Sequence, residues 1–252
     1  MKVLVGGQLI EYKDEGKGKV LLLLHGWGAN LGSFNDLAKH LSKKYRVIRF
    51  DFPGYGASPQ PSTDWYIGDY AKLTSELLKK LKIEKLHAVV GHSFGGRVII
   101  KMSALGLLAT QKVILLGAAG IKPKQTPKKA LYRMIAKTGK AATSLPGLKK
   151  VRASLREKFY VAIGSTDYLR SESMQQIFLH TVNEDLLPFV KTVKQPSLLI
   201  WGENDDQTPV GDAYRMLNEL EDAELFVVED AGHFVYLDDP EIVYTKIEGF
   251  LK

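Results

Sequence analysis

The chain of 252 residues contains no cysteine. That excludes disulfide staples, zinc–thiolate sites and a thiol nucleophile. Long apolar runs are missing as well, since no stretch reaches the roughly 20 residues of a membrane-spanning helix. The first residues, MKVLVGGQLIEYKDEGKGK, offer only a short apolar segment before charge arrives and no small-residue cleavage site, so a cytoplasmic protein is the expectation. Internal repeats and low-complexity tracts are absent. The acids beyond residue 200 lack a convincing ligand spacing, and neither a metal nor a cofactor is expected. Acidic residues are scarcest between residues 121 and 160, which hold 12 Lys+Arg against 1 Asp+Glu.

What is present is ordinary for a globular protein: 45% hydrophobic and 25% charged residues, enough for one large α/β core with an insertion or for two small domains. The net charge of +7 conceals an uneven distribution. Residues 1–120 carry 17 Lys+Arg against 9 Asp+Glu, and residues 161–252 carry 6 against 18. Such asymmetry concerns surfaces and partners, not the fold.

Strand-like runs occur at Val3–Val5, Leu9–Tyr12, VLLLL at 20–24, YRVIRF, LHAVV, KVILLG, SLLIWG and ELFVVE. Helical periodicity separates most of them, in FNDLAKHLSKK, IGDYAKLTSELLKKLKI, the stretch after Ser93, a segment near Asp212–Leu220, and a closing helix from Pro240. Strands alternating with helices predict a mainly parallel sheet covered on both faces. From Ile121 to about Val193 the alternation stops and only helical stretches remain, with starts at Thr126-Pro127 and at Ser144-Leu-Pro146. The expected organisation is an α/β core formed by residues 1–120 and 194–252, with a helical lid inserted at 121–193.

Within this frame the segment VVGHSFGGRV places Ser93 at a strand-to-helix corner. Gly91 and Gly95 flank it and let strand and helix crowd together while the serine takes a strained conformation. The corner pushes the hydroxyl outward, and the following helix aims unpaired N–H groups at any oxyanion formed beside it. This is the G-x-S-x-G elbow. A serine hydroxyl needs a base, normally a histidine oriented by a carboxylate. Of six histidines, only His233 lies in a Gly-containing loop, DAGHFVYLDDP, just after the last strand. Glu203, Asp205 and Asp206 follow the SLLIWG strand and are the candidate acids. His25 is expected to hold the HGWG loop through ring hydrogen bonds, His92 to pack beside the elbow, and Asp51 to anchor a turn.

Over essentially its whole length the chain resembles the α/β-hydrolase superfamily, through HGWG at 25–28, DFPGYGAS at 51–58, GHSFGG at 91–96, WGENDDQTP at 201–209 and AGH at 231–233. The resemblance implies the α/β-hydrolase fold and a triad of Ser93, Asp205 and His233. Asp205 is selected over Asp206 because the family's acid lies four positions before the proline. It also implies an oxyanion hole from the backbone N–H groups of Trp27 and Phe94. Dehalogenases and epoxide hydrolases of this fold carry aspartate at the elbow, so Ser93 points to acyl transfer and a serine esterase. The HGWG loop and helical lid are similar to small carboxylesterases and to pimeloyl-acyl-carrier-protein methyl ester esterases. The likeness to carbon–carbon bond hydrolases is less close, because those usually carry a tryptophan shortly after the catalytic histidine and this chain reads HFVYLDDP. A catalytically silent ligand-binding member of the fold is the reading from a different class.

The expected substrate is a small acyl ester. Trp27, Phe94 and Tyr236 are candidates either to line its pocket or to pack in the core. Lys128, Lys129, Arg133, Lys137 and Lys140, followed by Lys149, Lys150, Arg152, Arg156 and Lys158, suit an anionic partner at the lid: an acyl-carrier protein, a coenzyme A ester or an anionic membrane surface. Nucleic acid is not expected, since no recognition motif accompanies the charge.

Overall fold

The computed structural model describes residues 1–122 and 174–252. The helix starts expected at Thr126 and Ser144, and the basic positions from Lys128 to Lys158, lie outside the described residues. The chain divides into two compact units, Met1–Lys122 with Leu179–Lys252, and Pro123–Phe178.

Among the described residues, β1 (Lys2–Val5), β2 (Gln8–Glu15), β3 (Val20–Leu24), β4 (Arg46–Phe50), β5 (Leu86–His92), β6 (Thr110–Leu116), β7 (Ser197–Gly202) and β8 (Ala223–Val228) form one sheet. Its order is β1-β2-β4-β3-β5-β6-β7-β8. Pairs β1–β2 and β2–β4 are antiparallel, and every later pair is parallel. The central strands β3, β5, β6 and β7 are almost wholly buried. That is why they read as continuous apolar runs and not as an in–out alternation. This is the mainly parallel sheet that the alternation of strands and helices predicts, and the α/β-hydrolase architecture that the resemblance implies.

Helices are numbered over the described residues: α1 (Asn35–Leu41), α2 (Ile67–Lys80), α3 (Phe94–Ala104), α4 (Gln175–Asn183), α5 (Leu187–Val190), α6 (Val210–Leu217), α7 (Val235–Asp238) and α8 (Pro240–Leu251). Their starts follow capping chemistry. Asp69 Oδ2 accepts the Tyr66 N–H at 2.9 Å ahead of α2. Asp239 Oδ1 accepts the Ile242 N–H at 3.2 Å, with Pro240 opening α8. Leu37, Ala38 and Leu41 of α1 and Val243, Ile247 and Leu251 of α8 share one core cluster with Ala88 and Val90 of β5. Side chains alternate along a strand, so α3 belongs to the opposite face of β5. Accordingly, a Cβ built on Gly91 would lie against Ile99 of α3, 2.5 Å from its Cδ1.

Helices α4 and α5 fall within the stretch expected as a lid. From Leu179 onward that stretch groups with the sheet. It is tied there by Arg97 Nη1 donating to the Glu184 carbonyl at 2.9 Å, a Lys101–Glu184 ion pair at 2.7 Å, and Ser103 Oγ donating to the Thr192 carbonyl at 2.7 Å. No helix among the described residues is long and apolar enough to cross a membrane.

Candidate active site

Ser93 stands between the last residue of β5 and the first of α3 with φ 49° and ψ −107°. A positive φ on a residue with a side chain is strained and persists only where the surroundings hold it. Here they do. The Ser93 N–H donates to the Leu116 carbonyl at 3.1 Å, and its own carbonyl accepts from Gly96 and Ala119, each at 3.0 Å. The flanking glycines permit the approach. A Cβ on Gly95 would overlap the Leu24 carbonyl oxygen of β3, and one on Gly91 would lie 2.7 Å from the Gly96 nitrogen. From Gly91 to Ile100 every residue is buried except Ser93, which is partly exposed.

The carboxylate and the imidazole come from the loops after β7 and β8. His233 Nδ1 lies 2.9 Å from Asp205 Oδ2, and both side chains are buried. Glu203 and Asp206 are exposed. Asp205 has a full set of donors. Its Oδ1 accepts the backbone N–H groups of Gln207 and Thr208 at 2.9 and 2.8 Å, and Thr208 Oγ1 lies 2.8 Å from Oδ2. Burial is the largest single influence on this carboxyl and pushes its pKa up. The His233 hydrogen bond and charge, with the Thr208 bonds, outweigh it and leave the pKa below the usual value. Asp205 is therefore ionised at neutral pH and holds a proton on Nδ1, which leaves Nε2 free to act as the base.

The HGWG loop adjoins the elbow. A Cβ on Gly26 would sit 3.5 Å from Ser93 Cβ. The His25 ring holds this loop, with Nδ1–H donating to the Gly26 carbonyl at 2.8 Å and Nε2 accepting from the Phe52 N–H at 3.0 Å. Burial pushes the His25 pKa down to about 4 against weaker upward pulls from the Gly26 bond and Asp51, so the ring is neutral. Asp51 anchors the next loop by accepting the N–H groups of Leu31 and Ala57 at 2.7 and 2.8 Å. The rings of Trp27 and Phe94, the residues whose main chains are expected to supply oxyanion donors, meet edge to face at 5.3 Å. Phe94 opens α3, where first-turn N–H groups have no intrahelical acceptor. Phe94 and Tyr236 are core residues, 1% and 0% exposed, whereas Trp27 is partly exposed.

Two participants, Thr208 and Gly117, emerge only in three dimensions, and His92, expected beside the elbow, gains a partner that the sequence does not show. Thr208 Oγ1 also lies 3.0 Å from the Gly117 carbonyl and 3.3 Å from His233 Nδ1. Gly117, at φ 47°, leaves room for the pair, because a Cβ there would stand 3.1 Å from Asp205 Oδ2 and 3.4 Å from His233 Nδ1. His92 Nε2 lies 3.0 Å from the His233 carbonyl. The only sequence signals for these are the three-residue offset of Thr208 from Asp205, a glycine directly after β6, and a histidine preceding the serine.

Two open grooves lie elsewhere. One of about 660 Å³ is bordered by Tyr66, Lys72, Lys101 and His180, and one of about 600 Å³ by Asp36, Tyr236, Glu241 and Tyr244. Neither is lined by Ser93, Asp205 or His233. No cluster of three or more His, Asp or Glu side chains suited to a metal ion occurs among the described residues.

A model of the alpha/beta hydrolase family matches residues 21–245. The chain is 25% identical over 257 residues to 2-hydroxy-6-oxo-6-(2'-aminophenyl)hexa-2,4-dienoic acid hydrolase of Metapseudomonas resinovorans, covering 98% of this chain and 88% of that protein. Among solved structures it is similar to the meta-cleavage product hydrolase of Pseudomonas fluorescens IP01, with TM-score 0.75 at 23% identity over 99% of this chain and 96% of the other. It is also similar to an esterase of Exiguobacterium antarcticum, with TM-score 0.76 at 23% identity over 99% and 98%.

Proposed function

The chain belongs to the alpha/beta hydrolase family, and from that premise we propose that it hydrolyses carboxylic esters through an acyl-enzyme on Ser93. The observation that carries this reading is the buried Asp205–His233 hydrogen bond on the same sheet edge as a serine held in a strained elbow. His233 Nε2 takes the hydroxyl proton as Ser93 Oγ adds to the ester carbonyl carbon, and Asp205 stabilises the imidazolium that forms. The backbone N–H groups of Trp27 and Phe94 bind the tetrahedral oxyanion, at about 3 to 4 kcal/mol for each donor of this kind. Collapse expels the alcohol, which receives the proton from His233. Water then attacks the acyl-enzyme by the same route in reverse, and the carboxylic acid leaves.

Of residues 121–193, the part before Leu179 is proposed as a helical lid, and the protein as cytoplasmic. The basic stretch 121–160 favours an anionic acyl substrate, either carrier-linked or a coenzyme A ester, drawn in by charge. A second reading, hydrolysis of a carbon–carbon bond next to a ketone, is favoured by the relative from Metapseudomonas resinovorans. It uses the same three residues.

A fluorophosphonate probe tests the class. One covalent adduct on Ser93 is expected, and a folded protein that takes none is a silent member of the fold. A panel of p-nitrophenyl esters, acyl-thioesters and a ring-cleavage dienoate then assigns the substrate. Highest kcat/KM on the dienoate would sink the ester reading. A steep loss of kcat/KM with added salt on the anionic thioester alone marks the basic stretch as its docking element, and equal salt dependence on neutral esters removes that role.

A further inference from the structure

His92 is the one histidine near the site to which the mechanism above gives no task. It ends β5 and lies 1% exposed on the strand face shared by Ala88 and Val90. Its ring packs against His233 at 4.7 Å, Phe234 at 5.0 Å and Tyr236 at 5.1 Å. The partner of Nε2, 3.0 Å away, is the carbonyl oxygen of His233, which can only accept. The tautomer is thereby dictated: Nε2 carries the hydrogen and Nδ1 the lone pair. Nδ1 is buried without a hydrogen-bond partner among the described residues and faces Gly26, where a Cβ would stand 2.8 Å from it. An unpaired buried acceptor costs about 1 to 3 kcal/mol. The fold accepts that cost to keep this donor on the loop that carries His233. Burial, and next the charge of His233, push the His92 pKa down to about 3, so it does not compete for the proton that His233 moves.

We propose that His92 is a positioning residue: its Nε2–H clamps the main chain of His233 to the strand end from which Ser93 projects, setting the distance between base and nucleophile. One peptide bond separates the clamp from Ser93 and one hydrogen bond separates it from His233, so drift of the 229–234 loop is suppressed at its functional residue. The inference rests on the serine-hydrolase reading for its consequence in catalysis, but the clamp itself can be measured without turnover.

The experiment compares His92→Gln, whose amide NH2 reaches the place of Nε2–H, with His92→Phe, which fills the space without a donor. Hydrogen exchange by mass spectrometry over residues 229–236 should run about tenfold faster in the Phe variant and near the parent rate in the Gln variant. On the best ester of the panel, the Phe variant should lose about 100-fold in kcat with KM changed less than about twofold, as expected for a small misplacement of a reacting group. The Gln variant should recover most of it. Parental exchange and kcat in His92→Phe, or equal losses in both variants, would overturn the clamp. If His92→Phe does not fold, His92→Asn replaces it, because its amide is one bond too short; a Gln variant no better than the Asn variant would overturn the clamp in the same way. A parent protein with neither adduct nor turnover defeats the hydrolase reading alone, and the exchange comparison still decides on His92.

Discussion

Asp205 and Asp206 are adjacent, chemically identical and in one loop, yet only one faces His233. The backbone after β7 folds Asp205 inward, where two main-chain N–H groups and the Thr208 hydroxyl meet it, and turns Asp206 to solvent. Replacing Asp205 with Asn should leave the fold intact and lower kcat by several orders of magnitude, because the imidazolium loses its counter-charge and Nδ1 its fixed proton. Asp206→Asn should change kcat less than about twofold. Steady-state kinetics on one ester decides, and a reversed ranking would refute the assignment. Thr208→Val keeps the shape but strips the hydroxyl from Asp205 Oδ2, and an intermediate loss of about tenfold is expected. In the sequence, the choice of Asp205 is legible only through its spacing from Pro209. The bond of Thr208 to Asp205 shows there only as a three-residue offset, and its contacts with His233 and Gly117, like those of Gly117 with the pair, are hidden because the partners lie 25 or more positions away.

The elements are largely legible, for a physical reason that differs between classes. Strands β3, β5, β6 and β7 are covered on both faces, so burial writes itself into the sequence as unbroken apolar runs. α7 is four residues long and has no room for a helical period, so nothing in the pattern beside His233 announces it. Periodicity puts the return from the expected lid at residue 194, whereas the chain groups with the sheet from Leu179. The ties responsible are side-chain bonds from Arg97, Lys101 and Ser103, which have no signature in periodicity. The elbow makes its own demand. β3 and α3 approach so closely at Gly95 that Gly95→Ala must separate them or bend the helix, a strain of about 1 to 3 kcal/mol. Denaturant titration should register that loss together with a collapse in fluorophosphonate labelling, and an unchanged midpoint with parental labelling would show that the contact yields freely.

Across the whole molecule, His25 and His92 are both buried and neutral, with pKa values pushed down from 6.5 to about 4 and about 3. In the unfolded chain both return to ordinary values, so between pH 6.5 and 4 the unfolded state binds protons that the folded state refuses. Stability must fall as pH drops through that window, by roughly 2 to 3 kcal/mol per histidine at its lower end. Asp205, lowered in the fold, adds a loss of the same sign only at still lower pH. Urea midpoints measured at pH 7.5 and 4.5 should therefore separate clearly, and His92→Gln should narrow the gap; coincident midpoints would disprove the linkage. The division of the chain carries one more implication. Ser93, Asp205, His233 and the hydrogen-bonding residues described around them belong to the unit Met1–Lys122 with Leu179–Lys252, while residues 123–178 enter the chain after the serine and leave it before the acid. Selection can therefore rewrite that intervening stretch, in length or in charge, as a cassette. Descendants of one ancestor could then differ there while inheriting Ser93, Asp205 and His233 in the same places.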